Sequence, residues 1–101
     1  MRFARQNPFC RMCEQEGNDT VLGDVRDHIK PRREYPELTY VWGNIQNICR
    51  RHDGLKARME SFARETGQLE KLPFWCEALK NRPKEIAVIP PELWGDRNIS
   101  R

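Results

Sequence analysis

Two pairs of potential metal ligands occur at the same spacing in this sequence, Cys10-Arg-Met-Cys13 and Cys49-Arg-Arg-His52. Thiolate and imidazole groups are preferred ligands of tetrahedral zinc sites, and a Cys-x2-Cys pair contributes two of them from one short segment. The two pairs therefore predict a single structural zinc ion that holds the intervening chain at both ends. The alternative is three buried free thiols and a core histidine, which needs the same spacing to arise twice by chance.

Length and composition predict a small core. The chain has 101 residues, enough for one domain at most, and 38% are hydrophobic while 33% are charged. A structural metal would supplement such a core. The sequence shows no apolar run of signal-peptide or membrane-spanning length. We therefore expect a soluble cytoplasmic protein in a reducing compartment, where cysteines are metal ligands more often than disulfides, and we interpret Cys76 as a core residue.

The first part of the chain predicts short elements. One or two helical turns are expected over residues 2–8, and Cys10–Cys13 is expected to form a turn. The apolar and β-branched residues of 21–29 predict one strand, or two short strands broken at Gly23-Asp24.

The second part of the chain predicts a loop, a short extended segment and then a long helix. The loop covers residues 32–43, with a helical turn after Pro36, and residues 44–48 are expected to be extended or turn-like. A helix is expected over residues 51–66, with Gly67 as its C-terminal stop. One face of it carries an apolar stripe at helical spacing: His52, Leu55, Met59, Phe62 and Ala63.

The C-terminal residues give a weaker pattern. Residues 72–79 predict a second helix with Pro73 in its first turn, where the missing N–H group is tolerated. The short apolar run over 86–89 is interpreted as the start of an extended tail that covers the core.

Several motifs together resemble the HNH endonuclease family. These motifs are Asp27-His28-Ile29 followed by Pro31, the segment Trp42-Gly-Asn-Ile-Gln-Asn-Ile-Cys49, and then Asp53 and Lys56. The likeness is greatest to small HNH proteins encoded by bacteriophages and covers residues 5 to 66. It implies an α+β fold with a zinc-stabilised ββα-metal core over about 5–67, extended by the C-terminal helix and tail of 68–101 in the same single domain.

The resemblance also implies roles for individual residues. His28 would be the general base that activates water, and Asn44 would hold the loop and the imidazole in place. Asp27 and Asp53 would bind the catalytic ion. Two carboxylates suit Mg²⁺ or Mn²⁺, which prefer oxygen ligands and retain several waters.

Asp53 departs from the family pattern, which usually has histidine at this position. Two alignments are therefore possible: either His52 is the fourth zinc ligand and Asp53 the catalytic ligand, or His52 is itself the catalytic ligand. Lys56 favours the first, because it then falls at the position of the family's helix lysine without a gap. The additional negative charge of Asp53 leads us to expect a preference for hard ions.

Basic residues concentrate around these motifs in a chain of formal charge +3. Cations near the site gain binding free energy from phosphates by releasing counterions, although an ordinary solvated surface is the alternative. The candidates for phosphate contacts are Lys30, Arg32, Arg33, Arg50, Arg51 and Lys56. The loop aromatics Tyr35, Tyr40 and Trp42 are expected to pack on the core more often than to stack on DNA.

The leading interpretation is a metal-dependent endonuclease acting on double-stranded DNA, phage-encoded and linked to DNA packaging. One alternative is a zinc-stabilised nucleic-acid-binding module without catalysis, which would not need the set of Asp27, His28, Asn44 and Asp53. A second alternative is an accessory subunit of a larger DNA-processing complex that docks through the C-terminal segment. Target sequence, nicking or double-strand cutting, and oligomeric state are left open.

Overall fold

A computed structural model describes residues 8–87 of the chain. It contains a two-stranded antiparallel sheet and four α-helices. In chain order the elements are α1 (Arg11–Gln15), β1 (Val25–His28), β2 (Ile45–Ile48), α2 (Arg50–Thr66), α3 (Leu72–Glu77) and α4 (Lys84–Ala87). The predicted α+β class and its ββα core are confirmed.

The hairpin and α2 form the centre of the fold. Val25 pairs with Ile48 and His28 with Ile45, so β1 ends at the point where β2 begins. Every residue of β2 is buried, because α1 contacts this strand while α2 follows directly from its end. The loop between the strands therefore starts and ends beside His28.

The long helix has the expected limits. It begins one residue earlier than predicted, at Arg50, and ends at Thr66. Gly67 follows in the left-handed conformation with φ of 68°, which glycine adopts without steric cost. The next N–H group, that of Gln68, donates to the carbonyl of Ala63 at 2.8 Å and completes the C-terminal cap.

Three predictions of local structure need correction or restriction. The Cys10–Cys13 segment is not a simple turn: Cys10 precedes α1, and its Sγ accepts the N–H of Cys13 at 3.3 Å, which starts a helix. Residues 84–87 form a helix rather than an extended tail, and Ile86 lies in the core. The expected turns over 2–7 and the tail from 88 onward lie outside the described residues.

The core lies between α1, the hairpin, α2 and α3. Its buried apolar members are mainly Met12, Ile29, Ile48, Leu55, Met59, Leu72 and Trp75. Phe62 of α2 packs against Trp75 of α3 with ring centroids 6.0 Å apart. Within residues 8–87, no helix is both long and apolar enough to cross a membrane.

Gly23 lies where two backbones approach closely. A Cβ at this position would stand 2.8 Å from the carbonyl carbon of Asn47 and 2.9 Å from the nitrogen of Ile48. We predict that Gly23→Ala lowers the free energy of unfolding by about 1–3 kcal/mol, because the opposing backbone has to move. Urea denaturation of the zinc-loaded protein measures this loss.

Gly43→Ala is the matched control, since a Cβ there has nothing within 4 Å. It is expected to leave stability unchanged or slightly raised. Equal unfolding midpoints for the two variants would contradict the close approach at Gly23.

Candidate metal centre and active-site cleft

Three thiols and one imidazole converge next to the start of α2. Cys10 and Cys13 come from the beginning of α1, Cys49 directly precedes α2, and His52 lies in its first turn. Their ligand atoms all lie within 4.8 Å of one another. Among the described residues, this is the one group of three or more such side chains arranged to hold an ion.

The distances fit a tetrahedral zinc ion. Zn–S bonds of about 2.3 Å and a Zn–N bond of about 2.0 Å would place the ligand atoms about 3.5–3.8 Å apart. The sulfurs of Cys13 and Cys49 lie 3.7 Å apart. Nδ1 of His52 lies 3.5, 3.4 and 3.3 Å from the sulfurs of Cys10, Cys13 and Cys49. These four residues could therefore hold a zinc-like ion, as predicted.

Glu16 contacts the ring nitrogen of His52 that faces away from the thiols. Its Oε2 accepts a hydrogen bond from Nε2 of His52 at 2.7 Å, which leaves Nδ1 unprotonated and directed at the thiols. Burial alone would raise the pKa of Glu16, but the hydrogen bond from His52 and the adjacent Arg51 guanidinium hold it below its usual value. Both ring nitrogens of His52 are thus engaged, which favours the alignment that makes His52 a zinc ligand.

Arg82, which lies just before α4, forms an ion pair with Glu16. Nη1 of Arg82 lies 3.5 Å from Oε2 of Glu16, and its Nη2 donates to Oε1 of Gln15 at 2.9 Å. Gln15 in turn donates to the carbonyl of Cys76 at 2.7 Å. Hydrogen bonds and an ion pair behind the metal centre therefore connect Gln15 and Glu16 with α3 and with the segment before α4.

A cleft of about 300 Å³ lies beside the C-terminal part of β1. Four arginines, two carboxylates and one imidazole line it: Arg26, Arg32, Arg33, Arg64, Asp27, Glu60 and His28. Arginine guanidinium groups match phosphate oxygens in geometry and charge. The cleft could therefore hold an anion, and an acid–imidazole pair lies inside it.

The tautomer of His28 follows from its partner. Nε2 of His28 lies 2.9 Å from the carbonyl oxygen of Thr39. A carbonyl can only accept, so Nε2 carries the proton, and Nδ1 of the neutral ring is a base. His28 is the last residue of β1, and both it and the adjacent Asp27 line the cleft.

Asn44 fixes the loop that supplies this carbonyl. Its Oδ1 accepts the N–H of Lys30 at 2.8 Å, and its Nδ2 donates to the carbonyl of Lys30 at 3.1 Å. Nδ2 also lies 3.5 Å from the carbonyl of Leu38, one residue before Thr39. The buried amide therefore ties both ends of the loop beside the imidazole.

Asp27 is held by a buried lysine. Its Oδ2 accepts from Nε2 of Gln46 at 2.9 Å and lies 3.1 Å from Nζ of Lys56. The same ammonium contacts Oε2 of Glu60 at 2.6 Å and the carbonyl of His28 at 2.8 Å. Burial alone would lower the pKa of Lys56, but the two carboxylates outweigh it and raise the pKa, so the lysine is charged.

This location changes the expectation for Lys56. The side chain is only 1% exposed, and three oxygens surround its ammonium group. Lys56 is therefore an internal counter-ion rather than a surface phosphate contact, because its charge is already neutralised inside the protein.

The other predicted phosphate contacts lie in different places. Arg32 and Arg33 line the cleft, and Lys30 lies over the ring of Tyr35, 4.8 Å from its centroid. Arg50 approaches Asp24 at 3.9 Å, and Arg51 contacts Glu16 beside the metal centre.

Asp53 is partly buried in the first turn of α2. It does not line the described cleft, but it shares a helix face with Glu60, which does. Seven residues, or about 10 Å of helix, separate the two carboxylates.

Sequence reasoning missed several residues of these sites. Glu60 lies four residues after Lys56, and this spacing of opposite charges on a helix is a usable signal. Arg26 and Arg64 also line the cleft, but nothing in the sequence distinguishes them from other basic residues. Glu16 and Arg82 have no local signal, since only tertiary packing brings them to His52.

Comparison with known proteins agrees with this geometry. The family model described as HNH endonuclease matches residues 10–52, from the first cysteine through the hairpin to the histidine of the metal centre. No curated protein and no solved structure matches the chain.

The hydrogen bond from His52 to Glu16 predicts a large effect on zinc affinity. We expect Glu16→Ala to weaken zinc binding about 10- to 100-fold, because the imidazole loses the acceptor that orients it. Competition with a chromogenic chelator measures the affinity. Glu14→Ala, which removes an exposed carboxylate two residues earlier in the chain, is the control. Equal zinc affinities for the two variants would rule out this role for Glu16.

Removal of the Lys56 ammonium should destabilise the fold. Lys56→Met leaves Asp27 and Glu60 without their common cation, and breaking such a buried pair costs about 3–5 kcal/mol. Urea denaturation measures the loss, with Lys80→Met at an exposed position as the control. Adding Asp27→Asn and Glu60→Gln should restore part of the stability. A triple variant no more stable than Lys56→Met would show that charge is not the cause.

Proposed function

We propose that this protein is a metal-dependent DNA endonuclease that hydrolyses phosphodiester bonds, with His28 as its general base. The observation that carries the proposal is the position of His28 beside Asp27 in an arginine-lined cleft. The carbonyl of Thr39 fixes the proton on Nε2, so that Nδ1 is available as a base. A module that only binds nucleic acid has no need of a polarised imidazole at this point.

His28 performs the proton transfer in this proposal. Nδ1 removes a proton from a water molecule, whose oxygen attacks phosphorus as the bond to the 3′-oxygen breaks. General base catalysis of this kind contributes about 10²–10⁴-fold to the rate. Asn44 acts as a positioning residue, since it holds the loop that carries the Thr39 carbonyl.

Asp27 is proposed to hold the catalytic Mg²⁺ or Mn²⁺ from inside the cleft, and Asp53, which does not line the cleft, is proposed as the second ligand from the first turn of α2. Carboxylates are suitable donors for these hard ions. Gln46 and Lys56 both contact Oδ2 of Asp27, which orients the carboxylate in the cleft. When bound, the ion would neutralise charge on the phosphate and on the departing oxygen.

The cleft supplies the binding surface for double-stranded DNA in this proposal. Arg26, Arg32 and Arg33 provide exposed guanidinium groups around His28. Arg64 is held by Glu34 through two contacts of 2.7 and 3.0 Å, so it fixes the loop against α2. Phage origin, a link to DNA packaging, cytoplasmic location and action within a larger complex stay predictions.

Relaxation of supercoiled plasmid tests the proposal. Zinc-loaded wild type is expected to nick the plasmid with Mg²⁺ or Mn²⁺, with weaker activity in Ni²⁺. His28→Ala is expected to lose about 10²-fold or more of the rate. Lys71→Ala, an exposed cation outside the cleft, passes through the same purification and should nick as wild type does.

The outcomes separate the two main interpretations. Zinc content and circular dichroism of His28→Ala show whether the variant keeps its fold. If both proteins bind DNA and neither nicks it with any divalent ion, the protein is a nucleic-acid-binding module or an accessory subunit. If folded His28→Ala nicks at the wild-type rate, His28 is not the base.

A further inference from the structure

The loop beside the cleft presents an aromatic side chain to solvent. Tyr40 is 87% exposed, and its neighbours Val41 and Trp42 are 45% and 46% exposed. Tyr40 therefore does not pack on the core, in contrast to the expectation for loop aromatics. The loop around it is ordered by turn hydrogen bonds, from Thr39 N–H to the carbonyl of Pro36 and from Val41 N–H to that of Leu38, both 3.2 Å long.

Tyr40 forms one wall of a shallow depression of about 200 Å³. The depression is lined by Arg26, His28, Arg32, Thr39, Tyr40 and Ile45. His28, Arg26 and Arg32 also line the anion cleft. One imidazole therefore stands between a cleft suited to phosphate and a depression with an aromatic wall.

This combination matches the chemistry of a nucleotide with an accessible base. A phenol ring stacks on the π-face of any base, and neighbouring guanidinium groups bind the attached phosphate. A base inside an intact duplex presents only its edges, because both faces are covered by neighbouring bases. The stacking surface at Tyr40 would have no partner on such a duplex.

We propose that Tyr40 stacks on an unpaired base next to the scissile phosphate, and that the preferred substrate is DNA with a single-stranded nucleotide at the cleavage point. This inference rests on the proposed function and specifies its substrate class: overhangs, gaps and junctions. Tyr40 directly follows Thr39, whose carbonyl accepts from His28. A base seated on Tyr40 would thus restrain the segment that orients the imidazole.

Binding measurements test stacking separately from cleavage. Zinc-loaded full-length protein, without Mg²⁺ or Mn²⁺, is titrated into a blunt duplex and into the same duplex with a single-stranded overhang. Fluorescence anisotropy gives the affinities, and 2-aminopurine placed in turn at each overhang position reports stacking by quenching. Wild type is expected to bind the overhang duplex more tightly and to quench one position.

Three variants identify the contribution of the ring. Tyr40→Ala should lose about fivefold or more in affinity for the overhang duplex, together with the quenching. Tyr40→Phe should retain both, because the ring stacks without its hydroxyl group. Phe74→Ala removes a ring that is 56% exposed in α3 and should behave as wild type.

The results distinguish this inference from the proposed function. Equal affinities for the two duplexes, or quenching that persists in Tyr40→Ala, would overturn base stacking even if the protein nicks plasmid. Quenching that depends on Tyr40 in a protein that cleaves neither the plasmid nor the overhang duplex with Mg²⁺ or Mn²⁺ would support the stacking site and refute the endonuclease. Absence of binding to both duplexes would overturn the stacking proposal.

Discussion

The convergence of three thiols and an imidazole is the constraint on which the rest of this small fold depends. It joins the start of α1 to the start of α2, at the two ends of the segment that contains the hairpin. Within residues 8–87 the sheet has only two strands, and an isolated hairpin is marginally stable. Cross-linking by a bound ion would add folding free energy to a small core.

A buried cluster of charged side chains around Lys56 positions the Asp27-His28 pair against α2. Lys56 extends from α2 beneath the hairpin and contacts Asp27, Glu60 and the backbone of His28. A buried ammonium with three oxygen partners sets the distance and rotation of the helix against β1, since any shift would leave a charge without its partner. Lys56 therefore fixes the position of Asp27 and His28 relative to α2.

Local signals in the sequence account for much of this arrangement. The paired cysteine spacing predicts the metal centre, and the apolar stripe with its glycine stop predicts α2, because both depend on residues close in the chain. Asn44 is identified as a candidate site residue by the resemblance to the HNH family, in which its position lies between those of Asp27-His28 and Asp53. By contrast, Glu16, Arg82 and the buried location of Lys56 depend on contacts between distant segments. Exposure of Tyr40 was not predicted either, since burial of a loop ring depends on how the loop is folded.

Arg82 gives the metal centre a long-range partner. It belongs to the segment before α4, yet its guanidinium reaches Glu16, which orients His52. Linkage requires that such an effect be reciprocal: docking of the segment strengthens ion binding by the same free energy by which the ion strengthens docking. Through the contact between Arg82 and Glu16, zinc binding at Cys10, Cys13, Cys49 and His52 would stabilise the docked position of the segment before α4.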